Sequence, residues 1–171
     1  TVYGLAADAR SDKAMAAIFA AKGRPRFNPL IVHVPSREAA ERIAVMPPAA
    51  RRLADAFWPG PLTLVLPRRA DSGISDLATA GLDSIAVRVS AHPVAADILR
   101  AFGGPVVAPS ANRSGHVSPT TAAHVHADLA GVIALIVDGG RSPMGLESTI
   151  VSCLGAPALL RPGALTRAAI E

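Results

Sequence analysis

Short apolar runs alternate along the chain with segments carrying helix start and stop signals, and this alternation restricts the fold more than any other feature. Strand-like runs fall at Pro29–Val34, Leu62–Leu66, Ile85–Val89 and Pro105–Ala108, then at Val132–Val137, Ser148–Ser152 and Ala158–Arg161. Between them, Ser11 can cap a helix over Asp12–Lys22, which Gly23 and Pro25 stop. Ser36 can cap Arg37–Val45, Pro47-Pro48 can open a helix through Phe57, and His92–Phe102 reads as another. Ser118-Pro119 offers an N-cap and first helical position for a helix to about Ala130, whereas 67–83 and Pro109–Ser118 read as loops. Strands that alternate with helices predict an α/β domain.

Length and composition agree with one such domain. The chain has 171 residues, half of them apolar and 18% charged, a balance that excludes disorder for most of its length. No internal repeat, linker or domain boundary is visible. The single cysteine, Cys153, excludes a disulfide framework or a Cys-rich zinc site within one chain. The longest apolar candidates, Ala14–Ala21 and Val132–Val137, fall far short of the ~18–20 residues of a membrane span. That cysteine usage makes an intracellular home the expectation. The chain opens Thr1-Val2-Tyr3 without an initiator Met or a signal-peptide pattern and reads as a fragment. Net charge is +4, and the bases are 15 Arg against Lys13 and Lys22. Arg is the fork-shaped partner of phosphate and carboxylate, which favours anionic ligands. Biased codon supply raises Ala and Arg together, however, so composition leaves the matter open.

Familiar signatures are missing: there is no Walker-type phosphate loop and no G-x-S-x-G elbow. His124 and His126 sit two apart on a predicted helix, on different faces, and make poor joint metal ligands. Three constellations remain. The first, Lys22-Gly-Arg24-Pro-Arg26-Phe-Asn28-Pro29, is a stiff cation cluster suited to a polyphosphate; its plainer reading is cations complementing a helix C-terminus. The second, Ala108-Pro-Ser110-Ala-Asn112-Arg-Ser-Gly115 running on to Ser118-Pro119-Thr120-Thr121, follows a strand and leads into a helix, where open α/β sheets bind ligands. Ser118 reads first as an N-cap; Ser110 and Asn112 either meet a ligand or stitch the loop. The third is Asp138-Gly139-Gly140 followed by Gly145-Leu-Glu147-Ser148-Thr149-Ile150, whose glycines either serve a site or merely turn the chain. Within strands, His33 reads as a satisfied core histidine, while Arg88 calls for an anion because a buried guanidinium needs one. The residues thus point to a basic, hydroxyl-lined anion pocket without naming a reaction.

Eight segments, in order, resemble a known family: Thr1-Val-Tyr-Gly-Leu5, Lys22-x-Arg24-x-x-x-Asn28-Pro-Leu, Trp58-Pro-Gly-Pro-Leu-Thr, Ala86-Val-Arg88, Ala108-Pro-Ser-Ala-Asn112, Asp138-Gly-Gly, Glu147-Ser-Thr-Ile and Leu160-Arg-Pro-Gly163. Over essentially the whole chain they are similar to the YrdC-like threonylcarbamoyl-AMP synthases. The resemblance implies a single YrdC-like α/β domain, its twisted mixed parallel and antiparallel sheet flanked by helices around a basic concavity. It implies that L-threonine, bicarbonate and ATP, with Mg²⁺ on the phosphates, give threonylcarbamoyl-AMP and pyrophosphate. That product feeds the N6-threonylcarbamoyl modification of adenosine 37 in tRNA through a downstream transferase machinery. The enzyme would be a cytoplasmic nucleotidyltransferase with no membrane or DNA partner and no protein side chains holding metal.

By position in the family's motifs, Lys22, Arg24, Ser110 and Asn112 form the implied catalytic set. ATP would meet Lys22, Arg24, Asn28, Ser84, Ser110, Ser118 and Arg161, and Asn112 would join them on the phosphates. Threonine would meet Thr1, His33, Arg88, Ala108 and Ser148, which moves His33 from core residue to ligand contact. The family usually has a helix and a strand before the segment matching Thr1, and longer members carry a second domain after Leu-Arg-Pro-Gly. The chain is thus expected to lack its first strand. Two other readings are an RNA-binding module, disfavoured by only six scattered aromatics, and a YrdC-like domain of a larger carbamoyltransferase.

Overall fold

The computed structural model describes residues 1–23 and 27–171. Its strands are β1 (Ala7–Asp8), β2 (Ile31–Val34), β3 (Leu62–Pro67), β4 (Ser84–Val89), β5 (Val106–Val107), β6 (Thr149–Ser152) and β7 (Ala158–Arg161). Among the described residues they form one mixed sheet in the order β1-β5-β2-β4-β3-β6-β7. The β2–β4 and β3–β6 pairs are parallel, and the other neighbours antiparallel. The helices are α1 (Asp12–Lys22), α2 (Arg37–Ile43), α3 (Pro48–Phe57), α4 (Asp76–Thr79), α5 (Pro93–Phe102), α6 (Ala122–Leu129) and α7 (Arg167–Ile170).

Strand alternation divides the sheet into two chemically different faces. Val32, Val34, Leu62, Leu64, Leu66, Ile85, Val87, Val107 and Val151 share one face and are buried. Met15, Ile18 and Phe19 of α1, Ala39, Ala40 and Ile43 of α2, and Ala50 and Ala54 of α3 belong to the same core. Each fully buried Leu or Val there contributes about 1.5–3 kcal/mol of hydrophobic stabilisation. The register places His33, Ala86, Arg88, Thr63 and Ile150 on the opposite face. This second face is where a polar site can be built.

Several helix ends follow the caps read from sequence. Ser11 accepts from the Ala14 N–H at 3.2 Å, and α1 ends at Gly23, whose φ of 59° suits a residue without Cβ. Helix α2 stops at Ile43, short of Val45, because Ala44 bridges to Arg68 and the Val45 N–H donates to the Pro67 carbonyl. Strand β2 begins two residues after Pro29: the Leu30 N–H turns away to the Ala78 carbonyl at 2.8 Å.

Other expectations are corrected. Helix α6 does not start at Ser118-Pro119: Thr121 is its N-cap, accepting from the His124 N–H at 3.3 Å. The Ser118 hydroxyl is spent on Glu147, and the Pro119 carbonyl accepts from the Tyr3 N–H. Val132–Val137 is not a strand. Ile133 and Ile136, three apart, pack on Ala111, Val125 and Leu129, leaving Val132, Leu135 and Val137 exposed. The 67–83 loop contains the short helix α4, capped by Ser75, and two-residue β1 is too brief to carry a periodic signal.

Candidate active site

The predicted threonine-side residues meet on the polar face. His33 and Arg88 are register partners across the parallel β2–β4 pair. Arg88 is 7% exposed; its Nε donates to the Gly60 carbonyl at 2.9 Å and its Nη1 to the Thr1 hydroxyl at 2.8 Å. Burial brings its pKa down to about 10, and the charge of Arg161 adds to the effect. Glycine is required at position 60 by its own turn, because a Cβ there would sit 2.2 Å from the Phe57 carbonyl oxygen. The His33 ring is half-buried on this face, beside the Ala108 backbone. Burial, with Arg88 beside it, pushes the imidazole down to about 3, so it is neutral at ordinary pH.

Ser148 precedes β6 and is 2% exposed. Its hydroxyl lies 2.7 Å from that of Thr63, and Arg161 donates to its carbonyl from Nη2 at 2.9 Å and from Nε at 3.2 Å. The Glu147 carboxylate accepts from the Ser118 hydroxyl at 2.5 Å. That bond holds the acid below its usual range, Arg161's charge acting in the same direction against burial. Gly163 packs so tightly on this segment that a Cβ would sit 2.6 Å from the Glu147 carbonyl oxygen and the Thr149 nitrogen.

Of the predicted phosphate-side residues, Lys22, Ser110 and Asn112 meet at the end of α1. Lys22 is 3% exposed, and its ammonium donates to the backbone carbonyls of Ser110 and Asn112. The Ser114 N–H returns a bond to the Lys22 carbonyl at 2.7 Å, and Ser110 bridges to Gly4. The Asn112 amide donates to the carbonyls of Arg113 and His116, both at 2.8 Å, while its Oδ1 is a buried acceptor without a partner among the described residues. Asn112 therefore stitches its loop and also keeps an unspent acceptor. Asn28 is exposed, and Ser84 lies half-buried at the far end of β4 from Arg88. Arg24 lies outside the described residues. Among those described, no three His, Cys, Asp or Glu side chains converge as a metal site, and no helix is long and apolar enough to cross a membrane.

Thr63, Glu147, Tyr3 and Asp138 are not among the site residues that the sequence predicts, although each falls inside one of the family-like segments. Tyr3 donates to the Gly140 carbonyl at 2.6 Å and lies 3.0 Å from Asp138 Oδ1, so the Asp-Gly-Gly turn is pinned to the segment that carries Thr1. Only pairing across more than a hundred residues reveals that role. A separate cavity of about 820 Å³ lies among α2, α5 and the 69–72 loop, lined by Val34, Ile43 and Leu99. No predicted site residue lines it, and three of its four arginines, Arg10, Arg69 and Arg100, are paired with Asp8, Asp71 and Asp97. The polar sheet face is the better candidate.

The chain is 49% identical, over its whole length, to the threonylcarbamoyl-AMP synthase of Bacillus subtilis (strain 168), covering 50% of that protein. The solved structure of P. abyssi Sua5 complexed with L-threonine is 48% identical with a TM-score of 0.91, across 95% of this chain and 48% of that one. Full-length HypF in its phosphate- and nucleotide-bound form, 21% identical with a TM-score of 0.74, matches 94% of this chain and 25% of its own. At that identity the likeness shows the fold alone. The chain spans about half the length of the curated relatives it matches. The model of the Sua5/YciO/YrdC family, described as "Telomere recombination", matches residues 1–163, and the chain belongs to that family.

Proposed function

We propose that the protein carrying this chain is an L-threonylcarbamoyladenylate synthase, a nucleotidyltransferase that converts L-threonine, bicarbonate and ATP into threonylcarbamoyl-AMP and pyrophosphate. What carries the reading is the convergence of Thr1, His33, Arg88 and Ser148 beside Arg161 on one sheet face, in a chain 49% identical to such a synthase. The threonine amine adds to bicarbonate and loses water to form a carbamate. A carbamate oxygen then attacks the α-phosphorus of ATP, the bond to the β-phosphate oxygen breaks, and pyrophosphate leaves. No covalent enzyme intermediate is required, so the protein's task is positioning and charge neutralisation.

Arg88 is the natural partner of the threonine carboxylate: a desolvated guanidinium gains most from an ionised acceptor. Neutral His33 can hydrogen-bond the amino acid without repelling its ammonium. Ser148 and the Ala108 backbone complete that side. Arg24, Arg161, Asn28, Ser84 and Ser118 serve ATP. Lys22 supplies charge to the phosphates and also holds Ser110 and Asn112 in shape. Mg²⁺ bound to the ATP phosphates would supply further charge neutralisation.

The product passes to a transferase machinery that modifies adenosine 37 of tRNA, in the cytoplasm. The test is incubation of the intact protein with ATP, labelled bicarbonate and single amino acids. Threonine-dependent release of pyrophosphate with label in an adenylate is expected; release with any amino acid alike would overturn the reading.

A further inference from the structure

We propose that Glu147 is a built-in competitor for the phosphate-binding hydroxyl of Ser118, beside Arg161, so that a polyphosphate binds by displacing its carboxylate. The inference rests on the phosphate-side role proposed above for those two residues. A serine hydroxyl has one hydrogen to donate. Here Ser118 gives it to Glu147 Oε1 at 2.5 Å, so phosphate can receive it only after that bond breaks. Arg161 is committed on one edge to Ser148, the residue next to Glu147, through the bonds from Nε and Nη2 to its carbonyl. The carboxylate and the guanidinium each stand in the other's field.

The arrangement has a physical reason. Arg88 and Arg161 are close enough to repel, and both are partly withdrawn from water. Glu147 is the acid whose field reaches Arg161, and it offsets that charge. Its backbone is locked: the Glu147 carbonyl accepts from the Ala164 N–H at 3.0 Å, and Gly163 packs against it without room for a Cβ. Side-chain rotation is therefore the way out for the carboxylate, and it leaves Ser118 and Arg161 in place to receive the incoming anion. Exchange of one anion for another keeps the site selective and prevents pyrophosphate, the leaving group, from being trapped.

Calorimetric titration of the intact protein with inorganic pyrophosphate tests this. Glu147→Gln keeps an acceptor for Ser118 but removes the charge, and should bind pyrophosphate about five- to tenfold more tightly, as expected for one neighbouring unit charge near a screened surface. Glu147→Asp, which keeps the charge, should bind no more tightly than wild type, and L-threonine affinity should stay within about twofold for both. Unchanged or weaker binding by Glu147→Gln, an equal gain in Glu147→Asp, or a matching gain for threonine overturns the proposal. Should Glu147→Gln fold poorly, Ser118→Ala decides. Because a hydroxyl bond to phosphate only replaces one to Glu147, its loss should weaken pyrophosphate binding less than about threefold, and a greater loss overturns the exchange. Wild-type protein that binds no pyrophosphate overturns the phosphate-side reading and this inference with it.

Discussion

His33 and Arg88 face one another across the parallel β2–β4 pairing, a neutral imidazole beside a guanidinium that is 7% exposed. The guanidinium is bonded to a carbonyl and a hydroxyl, not to a carboxylate. Such a charge is costly to the free fold and useful to an anionic ligand.

Arg88→Met should therefore separate function from stability. Loss of a charge-assisted bond to the threonine carboxylate, about 1.5–3 kcal/mol, should weaken threonine binding roughly 10- to 150-fold. Thermal stability should be unchanged or higher, since an apolar side chain of similar reach removes the desolvated charge. Calorimetry and thermal denaturation check both; a less stable variant with intact threonine affinity would reverse the assignment.

The His33 pKa sets a pH dependence of known sign. Its folded value, about 3, is below that of the unfolded chain, so the unfolded state binds the proton more readily. Stability is full above the ordinary histidine pKa of about 6.5 and is lost as pH falls from there toward about 3. The slope should approach about 1.4 kcal/mol per pH unit between these limits. Denaturant titrations from neutral to acid pH should show it, and His33→Gln should remove that component.

Thr149 lies on the buried face of β6, and its hydroxyl serves the Leu165 backbone twice, donating to the carbonyl at 2.7 Å and accepting from the N–H at 2.9 Å. Thr149→Val keeps the shape and strips both bonds. A destabilisation of about 1–3 kcal/mol is expected, measured by denaturant unfolding.

The Tyr3 hydroxyl accepts from the Gly139 N–H at 3.2 Å and donates to the Gly140 carbonyl. Tyr3→Phe should leave the sheet intact and speed hydrogen exchange at the Gly139 amide by about fivefold or more, the value of one net hydrogen bond. An unaltered rate would show that the Asp-Gly-Gly turn is held by other contacts.

Local signals were legible wherever one residue type solves a local problem. The caps Ser11 and Ser36, the stop at Gly23, Pro48 at the head of α3 and the limits of β7 all follow the sequence reading. Reading failed where a distant group took over a local one. Ser118 looks like a cap, but Glu147 captures its hydroxyl. Val132–Val137 looks like a strand, but among the described residues no neighbour pairs with it, and its isoleucines cover α6.

The sequence by itself determined the α/β class, the family motifs and most element boundaries, because caps, breakers and apolar periodicity act over a few residues. Tertiary structure decided which face of the sheet is polar and that Arg88 meets Thr1 and Arg161 meets Ser148 there. It also turned Glu147, Thr63 and Tyr3 from motif letters into partners. Those outcomes depend on strand order and register, which bring residues 1, 33, 63, 88, 118 and 148 together, and no local spacing encodes such distances.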